Sequence, residues 1–204
     1  MAEEEFAKTS REVRYRRHFG LLLNARGAMH GLAVEIGTDR GDFAVGFLDT
    51  WRGATLLCVD PWKDYPEMKQ PRQPDYDVTI QRLAPYGARV RIWRGTSMDA
   101  VKAELSGVPV FVYIDGEHTT KAVTEDCEAW WERLDKKVGI LAGHDWEAPP
   151  PVRPAVIAFA KKVGRTIWTV RDIEKGRSWY MYKNPDTIPF DFDVGGWVGR
   201  QGVN

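Results

Sequence analysis

The sequence predicts a three-layer α/β fold with a seven-stranded, mostly parallel sheet that ends in an antiparallel hairpin. Short apolar runs alternate with amphipathic stretches of helical length, which is the pattern of repeated strand–helix–strand units. Near the end, two strand-like runs are separated only by residues 173–177, and such a short connection favours a hairpin. A chain of 204 residues can bury one sizeable core, so we interpret residues 1–204 as a single domain. It divides into an N-terminal helical segment, a core and a tail, at residues 1–30, 31–184 and 185–204.

The first five candidate strands are rich in Val, Ile and Leu, as expected of parallel strands buried on both faces. They cover residues 32–37, 55–60, 90–95, 110–116 and 139–145, and the hairpin strands cover 166–172 and 178–184. The stretches between the first strands predict crossover helices at 42–51, 75–84, 98–105 and 120–134. Another helix is predicted at 10–23, with Ser10 as its N-cap and with Val13, Phe19 and Leu22 on one face.

Composition narrows the range of functions. Lys plus Arg and Asp plus Glu both total 29, so the formal net charge is zero and no global basic field would collect phosphates or anionic lipids. No apolar run approaches the roughly 20 residues of a membrane span, and the acidic start lacks the order of a signal peptide, so we expect a cytoplasmic protein. Cys58 and Cys127 have no CxxC spacing, and we expect both to be reduced core residues.

The ends of the first two strands carry a pattern that suits an adenosine ligand, because ligands of open α/β sheets bind beyond the carboxyl ends of the strands. Gly37 and Gly41 follow the first strand, where the backbone must turn tightly and approach a ligand closely. The second strand ends in Asp60, 25 positions after Glu35, and a carboxylate there can accept hydrogen bonds from both ribose hydroxyls. Trp62 either stacks on the ligand ring or packs a lid.

Dinucleotide binding is the closest alternative for this strand end. It requires GxGxxG, because a pyrophosphate lies on the helix N-terminus, whereas Asp39, Arg40 and Asp42 crowd the turn in this sequence. An acid-lined turn suits a cationic sulfonium ligand better, which favours S-adenosylmethionine. After the third strand, Thr96 and Ser97 offer small hydroxyl groups near the expected adenine edge.

Four motifs, in this order and spacing, resemble the class I methyltransferases, in a group that includes macrocin-type sugar O-methyltransferases: VEIGTDRGDFA, LLCVDPW, VYIDGEHTTKAVTEDCEAWW and GILAGHDW. The resemblance covers residues 32–146 and implies a Rossmann-like class I methyltransferase fold with S-adenosylmethionine as the cofactor. It implies that five residues contact the cofactor, namely Glu35, Gly37, Gly41, Asp60 and Ser97. The same strand ends add five further candidates, namely Thr38, Asp39, Trp62, Thr96 and Asp115.

Two neighbouring strand ends carry the acids and histidines of a candidate chemistry site. Asp115 and His118 follow the fourth strand, and His144 and Asp145 follow the fifth. Methyl transfer to an alcohol needs a positioned acceptor and removal of its proton, by a neutral histidine or with a divalent cation that lowers the pKa of the hydroxyl. In the family that the chain resembles, D-x-x-H supplies a metal-binding acid and a catalytic histidine, and an acidic pair after the fifth-strand position completes a Mg²⁺ site. The resemblance therefore implies catalytic roles for Asp115 and His118.

His144 departs from that pattern, because it stands where the family has an oxygen ligand. Imidazole is a poor ligand for Mg²⁺ but a good one for Mn²⁺, Fe²⁺ or Zn²⁺. We hypothesise that Asp115 and Asp145, with His144, hold a divalent cation, Mg²⁺ or Mn²⁺, while His118 takes the proton. Glu117 is interpreted as a cap of the following helix.

The expected reaction is O-methylation of a small-molecule hydroxyl acceptor, in a pocket lined by the loops 62–76 and 146–154. A nucleic-acid methyltransferase is an alternative suggested by the basic residues of the first helix, although a solvated helix face explains them as well. These residues are Arg11, Arg14, Arg16 and Arg17. A catalytically silent S-adenosylmethionine-binding partner subunit is another alternative. The first helix, with Tyr15 and Phe19 read as exposed, covers the cofactor or meets a second copy in a homo-oligomer.

Overall fold

The computed structural model describes residues 7–11, 13–64, 70–147, 152–170 and 177–187. Within them, eight strands form one mixed sheet. The strands are β1 (Ala7–Thr9), β2 (Leu32–Ile36), β3 (Thr55–Asp60), β4 (Val90–Arg94), β5 (Pro109–Ile114), β6 (Ile140–Gly143), β7 (Ile167–Thr169) and β8 (Trp179–Tyr182). The helices are α1 (Phe19–Ala25), α2 (Asp42–Thr50), α3 (Gln73–Leu83), α4 (Ser97–Lys102), α5 (Thr120–Arg133) and α6 (Val152–Val163), with 3-10 turns at Arg16–His18, Ala84–Arg89 and Pro185–Thr187.

The strands lie in the order β1-β7-β8-β6-β5-β2-β3-β4. All neighbours pair in parallel except β8, which is antiparallel to both β6 and β7. The predicted α/β class, the mostly parallel sheet and the terminal hairpin are therefore confirmed. The predicted number of seven strands is wrong, because β1 adds an eighth strand in parallel to β7 at the edge of the sheet. Its three residues, Ala-Lys-Thr, have no apolar alternation that could have announced a strand.

Helices cover both faces of the sheet and give the predicted three layers. One hydrophobic core joins α4, α5 and α6 to one face, with Trp130 and Val156 fully buried within it. The other core joins α1, α2 and α3 to the opposite face, around Phe47 and Phe111, whose ring centroids are 5.1 Å apart. Every residue of β2 and β5 is buried, as the continuous apolar runs predicted.

The N-terminal segment differs from its prediction. The helical turns begin at Arg16 rather than at residue 10, and Ser10 caps no helix. Instead, the Ser10 backbone N–H donates to Thr169, and its hydroxyl bonds that of Tyr180, so the serine extends the edge of the sheet. Phe19 is fully buried against aromatic residues, so the expectation that it lies exposed on the first helix is also wrong. Of the two aromatic residues expected to be exposed, Tyr15 and Phe19, only Tyr15 is exposed.

The helix α6 was not predicted, because Pro-rich residues 149–154 obscure its start. Pro154 lies in the first turn of α6, where its missing N–H breaks no helical hydrogen bond. The predicted helix at 98–105 is shorter than expected and ends at Lys102. Cys58 and Cys127 are buried and free, as expected. The connection of the hairpin at 171–176, the tail from residue 188, and parts of the two predicted acceptor loops at 65–69 and 148–151 lie outside the described residues. Among the described residues, none of the helices combines the length and the apolar character needed to span a membrane.

Candidate active site

A crevice opens between the ends of β2 and β5, where the order of the strands in the sheet reverses. The strands β2, β3 and β4 run outward on one side and β5 and β6 on the other, so the carboxyl ends of β2 and β5 lie at the switch point of the sheet. A cavity of about 710 Å³ lies at these ends and extends along β3 and β4. That volume is within the range of small-molecule and cofactor sites. Seven of the predicted site residues line it: Gly37, Asp39, Asp60, Thr96, Ser97, Asp115 and His118.

The other predicted site residues are not among the described residues that line the cavity. They are Glu35, Thr38, Gly41, Trp62, His144 and Asp145. Glu35 is only 1% exposed, and burial raises the pKa of its carboxyl well above the ordinary value, with the side chain of Thr38 opposing the rise. These residues belong to β2 or to the turns that follow β2, β3 and β6.

The turn after β2 is held by hydrogen bonds to Asp60. One carboxylate oxygen of Asp60 accepts from the backbone N–H of Trp62 at 2.7 Å, and the other accepts from the backbone N–H of Asp39 at 3.0 Å. Burial raises the pKa of Asp60 above its ordinary value, although these two backbone donors oppose that rise. Asp60 therefore both lines the cavity and joins the turns that follow β2 and β3.

Trp62 packs against the turn after β2. Its side chain is 1% exposed and does not line the cavity among the described residues. Its indole N–H donates to the carbonyl oxygen of Asp39 at 2.8 Å, and the hydroxyl of Thr79 donates to the same oxygen at 2.6 Å. The tryptophan thus fixes the turn from behind.

The acids of this turn are paired with arginines, which the sequence pattern did not predict. A guanidinium nitrogen of Arg72 lies 2.7 Å from the carboxylate of Asp39 and 3.9 Å from that of Asp60. Asp42 pairs in the same way with Arg82. Arg72 also lines the cavity, so the negative charge that a sulfonium ligand would meet is partly neutralised.

The two glycines of the turn are required for different reasons. Gly37 has a φ of +82°, and a Cβ at its position would lie 2.1 Å from the carbonyl oxygen of Asp115. It therefore allows the ends of β2 and β5 to approach each other, in addition to lining the cavity. Gly41 has a φ of +77° as the N-cap of α2, but its nearest neighbours are Thr79 and Leu83, beyond 3.5 Å. Only its left-handed backbone requires glycine.

Asp115, His118, His144 and Asp145 meet at the ends of β5 and β6, and we call them the carboxylate–histidine cluster. The Nε2 atom of His118 lies 2.9 Å from Asp145 and 3.7 Å from Asp115. The Nδ1 atom of His144 lies 3.2 Å from Asp145 and 3.6 Å from Asp115. The sequence predicted these four residues as one site, and the parallel pairing of β5 with β6 brings them together.

Charge interactions within the cluster change its protonation. The carboxylates of Asp115 and Asp145 raise the pKa of His118 to about 10. The pKa of His144 is also raised, because the two carboxylates outweigh the effect of burial. Contacts with His118 and His144 lower the pKa of Asp145, whereas burial raises that of Asp115. In the described structure the cluster therefore favours imidazolium beside carboxylate.

Three members of the cluster also fit a divalent cation. One ligand atom from each of Asp115, His144 and Asp145 lies within 4.8 Å of the others, as three ligands of one ion would. Two oxygens and one imidazole nitrogen suit Mn²⁺, Fe²⁺ or Zn²⁺ better than Mg²⁺. Asp145 has a φ of +55°, so its backbone is left-handed. Asp39 and Trp62 are the other non-glycine residues with positive φ in the described chain. All three lie at strand-end turns beside the cavity.

Some polar residues of the cavity were not predicted. One of them, Asp126, is buried and accepts a hydrogen bond from the hydroxyl of Ser97. The signal that could have found it is an acid on the apolar side of α5, between Val123 and Trp130, where an unpaired carboxylate would be costly. Glu117 caps no helix directly, because the N-cap of α5 is Thr119, whose hydroxyl donates to Glu117.

Comparisons with known proteins agree with this geometry. The family model described as a methyltransferase domain matches residues 34–146, from β2 to the end of the cluster. A search of curated proteins finds no match. A putative caffeoyl-CoA O-methyltransferase from Staphylococcus aureus has a TM-score of 0.61 at 15% identity, covering 82% of each chain.

Two further solved structures share the fold. An O-methyltransferase from Bacillus cereus in complex with SAH has a TM-score of 0.60 at 13% identity, covering 82% of this chain and 80% of that one. An rRNA methylase from Streptococcus thermophilus has a TM-score of 0.51 at 12% identity, covering 75% and 86%. At these identities the likeness shows the fold alone.

Proposed function

This chain belongs to the methyltransferase domain family, and on that premise we propose that it transfers the methyl group of S-adenosylmethionine to a hydroxyl group of a small molecule, with His118 as the general base. The position of His118 carries the proposal. Its imidazole lines the cavity and is partly exposed, with Asp115 and Asp145 behind it. A histidine held by carboxylates next to a cofactor cavity is the arrangement that proton removal requires.

The cavity supports S-adenosylmethionine as the methyl donor. Gly37, Asp60 and Ser97 line it at the ends of three adjacent strands, where an elongated nucleoside ligand would lie across the sheet edge. The B. cereus O-methyltransferase of the same fold is in complex with SAH, the demethylated product of such a donor. The bound sulfonium would supply an activated methyl group, so the protein has to position the acceptor and remove its proton.

The proton would move to His118. In the neutral form of His118, Nε2 faces the carboxylates and Nδ1 would accept the proton of the acceptor hydroxyl. Asp145 then stabilises the imidazolium that forms, because its carboxylate lies 2.9 Å away. His118 has the most exposed side chain of the cluster, at 40% exposure, whereas that of His144 is 9% exposed.

Asp115, His144 and Asp145 would hold the divalent cation. Such an ion would supply Lewis acidity to the acceptor hydroxyl and would neutralise the carboxylates that keep His118 protonated. The Nδ1 atom of His144 faces both carboxylates, so the three donor groups already converge without rearrangement of the strand ends.

A small-molecule acceptor is favoured over nucleic acid. Arg11, Arg14 and Arg17 are exposed, but no arginine of the N-terminal segment is among the described residues that line the cavity. The formal net charge of zero gives no general attraction for phosphates. The rRNA methylase of the same fold keeps the nucleic-acid alternative open to test.

The decisive experiment measures release of S-adenosylhomocysteine from S-adenosylmethionine with a panel of phenols, catechols and sugars, in Mn²⁺ and in a chelator. We expect His118→Ala to lower turnover roughly 100-fold or more while its affinity for S-adenosylhomocysteine stays within about threefold of wild type. His30→Ala is the matched control, because His30 is an exposed histidine on the turn before β2. A fully active His118→Ala variant would exclude the general-base assignment, and cofactor binding without turnover for any acceptor would favour the silent partner subunit.

A further inference from the structure

The described wall of the cavity carries more acids than bases. Outside the carboxylate–histidine cluster, the cations that line it among the described residues are Lys63 and Arg72. Lys63 is exposed, so water screens its charge, whereas the side chain of Arg72 is only 21% exposed. Arg72 is therefore the less screened of these two cations. Six carboxylates face them in the same wall: Asp39, Asp60, Asp115, Glu117, Glu125 and Asp126.

Arg72 is held in a fixed position by its neighbours. One guanidinium nitrogen lies 2.7 Å from the carboxylate of Asp39 and 3.9 Å from that of Asp60, and the other donates to Asp75 at 2.7 Å. The backbone N–H of Arg72 donates to the carboxylate of Asp64 at 2.7 Å. A guanidinium with two close ion pairs keeps both its charge and its place, so it adds a permanent positive charge to the cavity beside Asp60.

The order of the strands gives the distance over which this charge would act. Asp60 ends β3, Asp115 follows β5, and β2 lies between these two strands. Two strand spacings of about 4.8 Å place Arg72 on the order of 10 Å from the Asp115 end of the cavity. A donor whose reacting methyl group lies near Asp115 would have its sulfonium within range of the charge of Arg72. This step rests on the proposed function.

The methyl donor and its product differ by one charge at this place. S-adenosylmethionine carries a sulfonium, whereas S-adenosylhomocysteine has a neutral thioether, and both carry the same nucleoside and amino-acid groups. The acids of the wall attract the sulfonium and Arg72 opposes them, but the thioether has no charge on which they could act. Loss of the charge of Arg72 would therefore strengthen binding of the donor relative to the product.

We propose that Arg72 sets the relative affinity of the cavity for the sulfonium donor and for its thioether product. The guanidinium limits the preference for the donor that the six carboxylates would otherwise impose, so the product competes more strongly for the cavity. Arg72 is thus a specificity-determining residue that acts by its charge.

Calorimetric titration with S-adenosylmethionine and with S-adenosylhomocysteine, without an acceptor, tests the proposal by binding alone. The ratio of the two dissociation constants is the readout, because a general loss of fit cancels in it. We expect Arg72→Gln to shift this ratio in favour of S-adenosylmethionine by roughly three- to tenfold, since a unit charge about 10 Å away acts through a medium between protein and water.

Two further variants separate the charge of Arg72 from its shape. Arg82→Gln removes the same charge from an arginine that pairs with Asp42 and is not among the described residues that line the cavity. It should keep the ratio within about twofold of wild type, because water and salt screen a more distant charge. The double variant Arg72→Gln, Asp39→Asn removes both members of one ion pair, so its ratio should lie closer to wild type than that of Arg72→Gln.

The outcomes separate this inference from the proposed function. An unchanged ratio in Arg72→Gln, or an equal shift in Arg72→Gln and in the double variant, would overturn the role of the Arg72 charge while leaving the binding of both ligands intact. Absence of binding of either ligand to wild type would overturn the proposed function itself.

Discussion

The indole Nε1 of Trp62 donates a hydrogen bond to the carbonyl oxygen of Asp39 at 2.8 Å, and this contact joins the turn after β3 to the turn after β2. Both residues have left-handed backbone, with φ values of 38° and 50°. Such conformations cost free energy in residues other than glycine and persist only where the surroundings hold them. The shape of the cavity wall therefore depends on a tryptophan that does not line it.

Removing the donors to the Asp39 carbonyl should weaken cofactor binding in a coupled way. Trp62→Phe or Thr79→Val alone leaves one donor in place, so we expect each to lower the affinity for S-adenosylhomocysteine roughly threefold. The double variant leaves the carbonyl without either donor and should lose more than the product of the single effects. Titration calorimetry measures this, with Trp168→Phe on the distant β7 as the control. If the effects of the two single substitutions on affinity simply multiply in the double variant, the turn does not depend on the carbonyl oxygen of Asp39.

Gly37 and Gly41 should respond differently to alanine. A Cβ at Gly37 would collide with the backbone of Asp115 at 2.1 Å, so we expect Gly37→Ala to unfold the domain or to lower its stability by roughly 3 kcal/mol or more. A Cβ at Gly41 meets no atom closer than 3.6 Å, so Gly41→Ala should cost only the roughly 1–2 kcal/mol of left-handed backbone. Urea denaturation compares the two variants. Equal destabilisation would contradict the close approach of β2 and β5.

Asp126 should make stability depend on pH. Burial raises its pKa in the folded protein from the ordinary 3.8 to about 6, with Ser97 opposing the shift. Folding therefore favours the protonated carboxyl, and its contribution to stability decreases as the pH rises from 3.8 through 6 and is constant above. The Asp126→Asn variant has no titratable carboxyl group at this position. We expect it to exceed wild type in unfolding free energy at neutral pH by on the order of 1–3 kcal/mol.

The difference between Asp126→Asn and wild type should disappear near pH 4, where both side chains are neutral. Urea denaturation of the two proteins between about pH 4 and pH 7.5 measures it. Glu132→Gln, on the exposed side of α5, should follow the wild-type profile. A constant difference between Asp126→Asn and wild type over this range would show that Asp126 is ionised at its ordinary pKa.

Cation binding should depend on Asp145. Its carboxylate lies beside both histidines and belongs to the set of three convergent donors. We expect Asp145→Asn to weaken Mn²⁺ binding roughly 10-fold or more. Electron paramagnetic resonance of free Mn²⁺ measures the affinity. Asp135→Asn is the control, because Asp135 accepts from the backbone of Lys137 and Val138 on a turn outside the cluster. Unchanged Mn²⁺ affinity in Asp145→Asn would exclude this site.

The strands and most helices could be predicted because their signals are local. Continuous apolar runs identified β2, β3 and β5, and the short separation of the last two runs identified the hairpin. The edge strand β1 could not be found this way, because pairing with β7 creates it and its residues carry no pattern. The first helix was predicted too early, because Val13 is buried although it precedes the first helical turn, which begins at Arg16.

For the site, sequence determined which residues stand at the strand ends, since Gly37, Asp60 and the acids and histidines after β5 and β6 each follow a recognisable run. Tertiary structure alone decided what they meet. The sheet order brings Asp115 to Asp145, α3 brings Arg72 to Asp39, and the packing of α5 on α4 brings Asp126 to Ser97. Local periodicity fixes how a segment folds, but contacts between distant segments follow from strand order and helix packing, which no single stretch of sequence encodes.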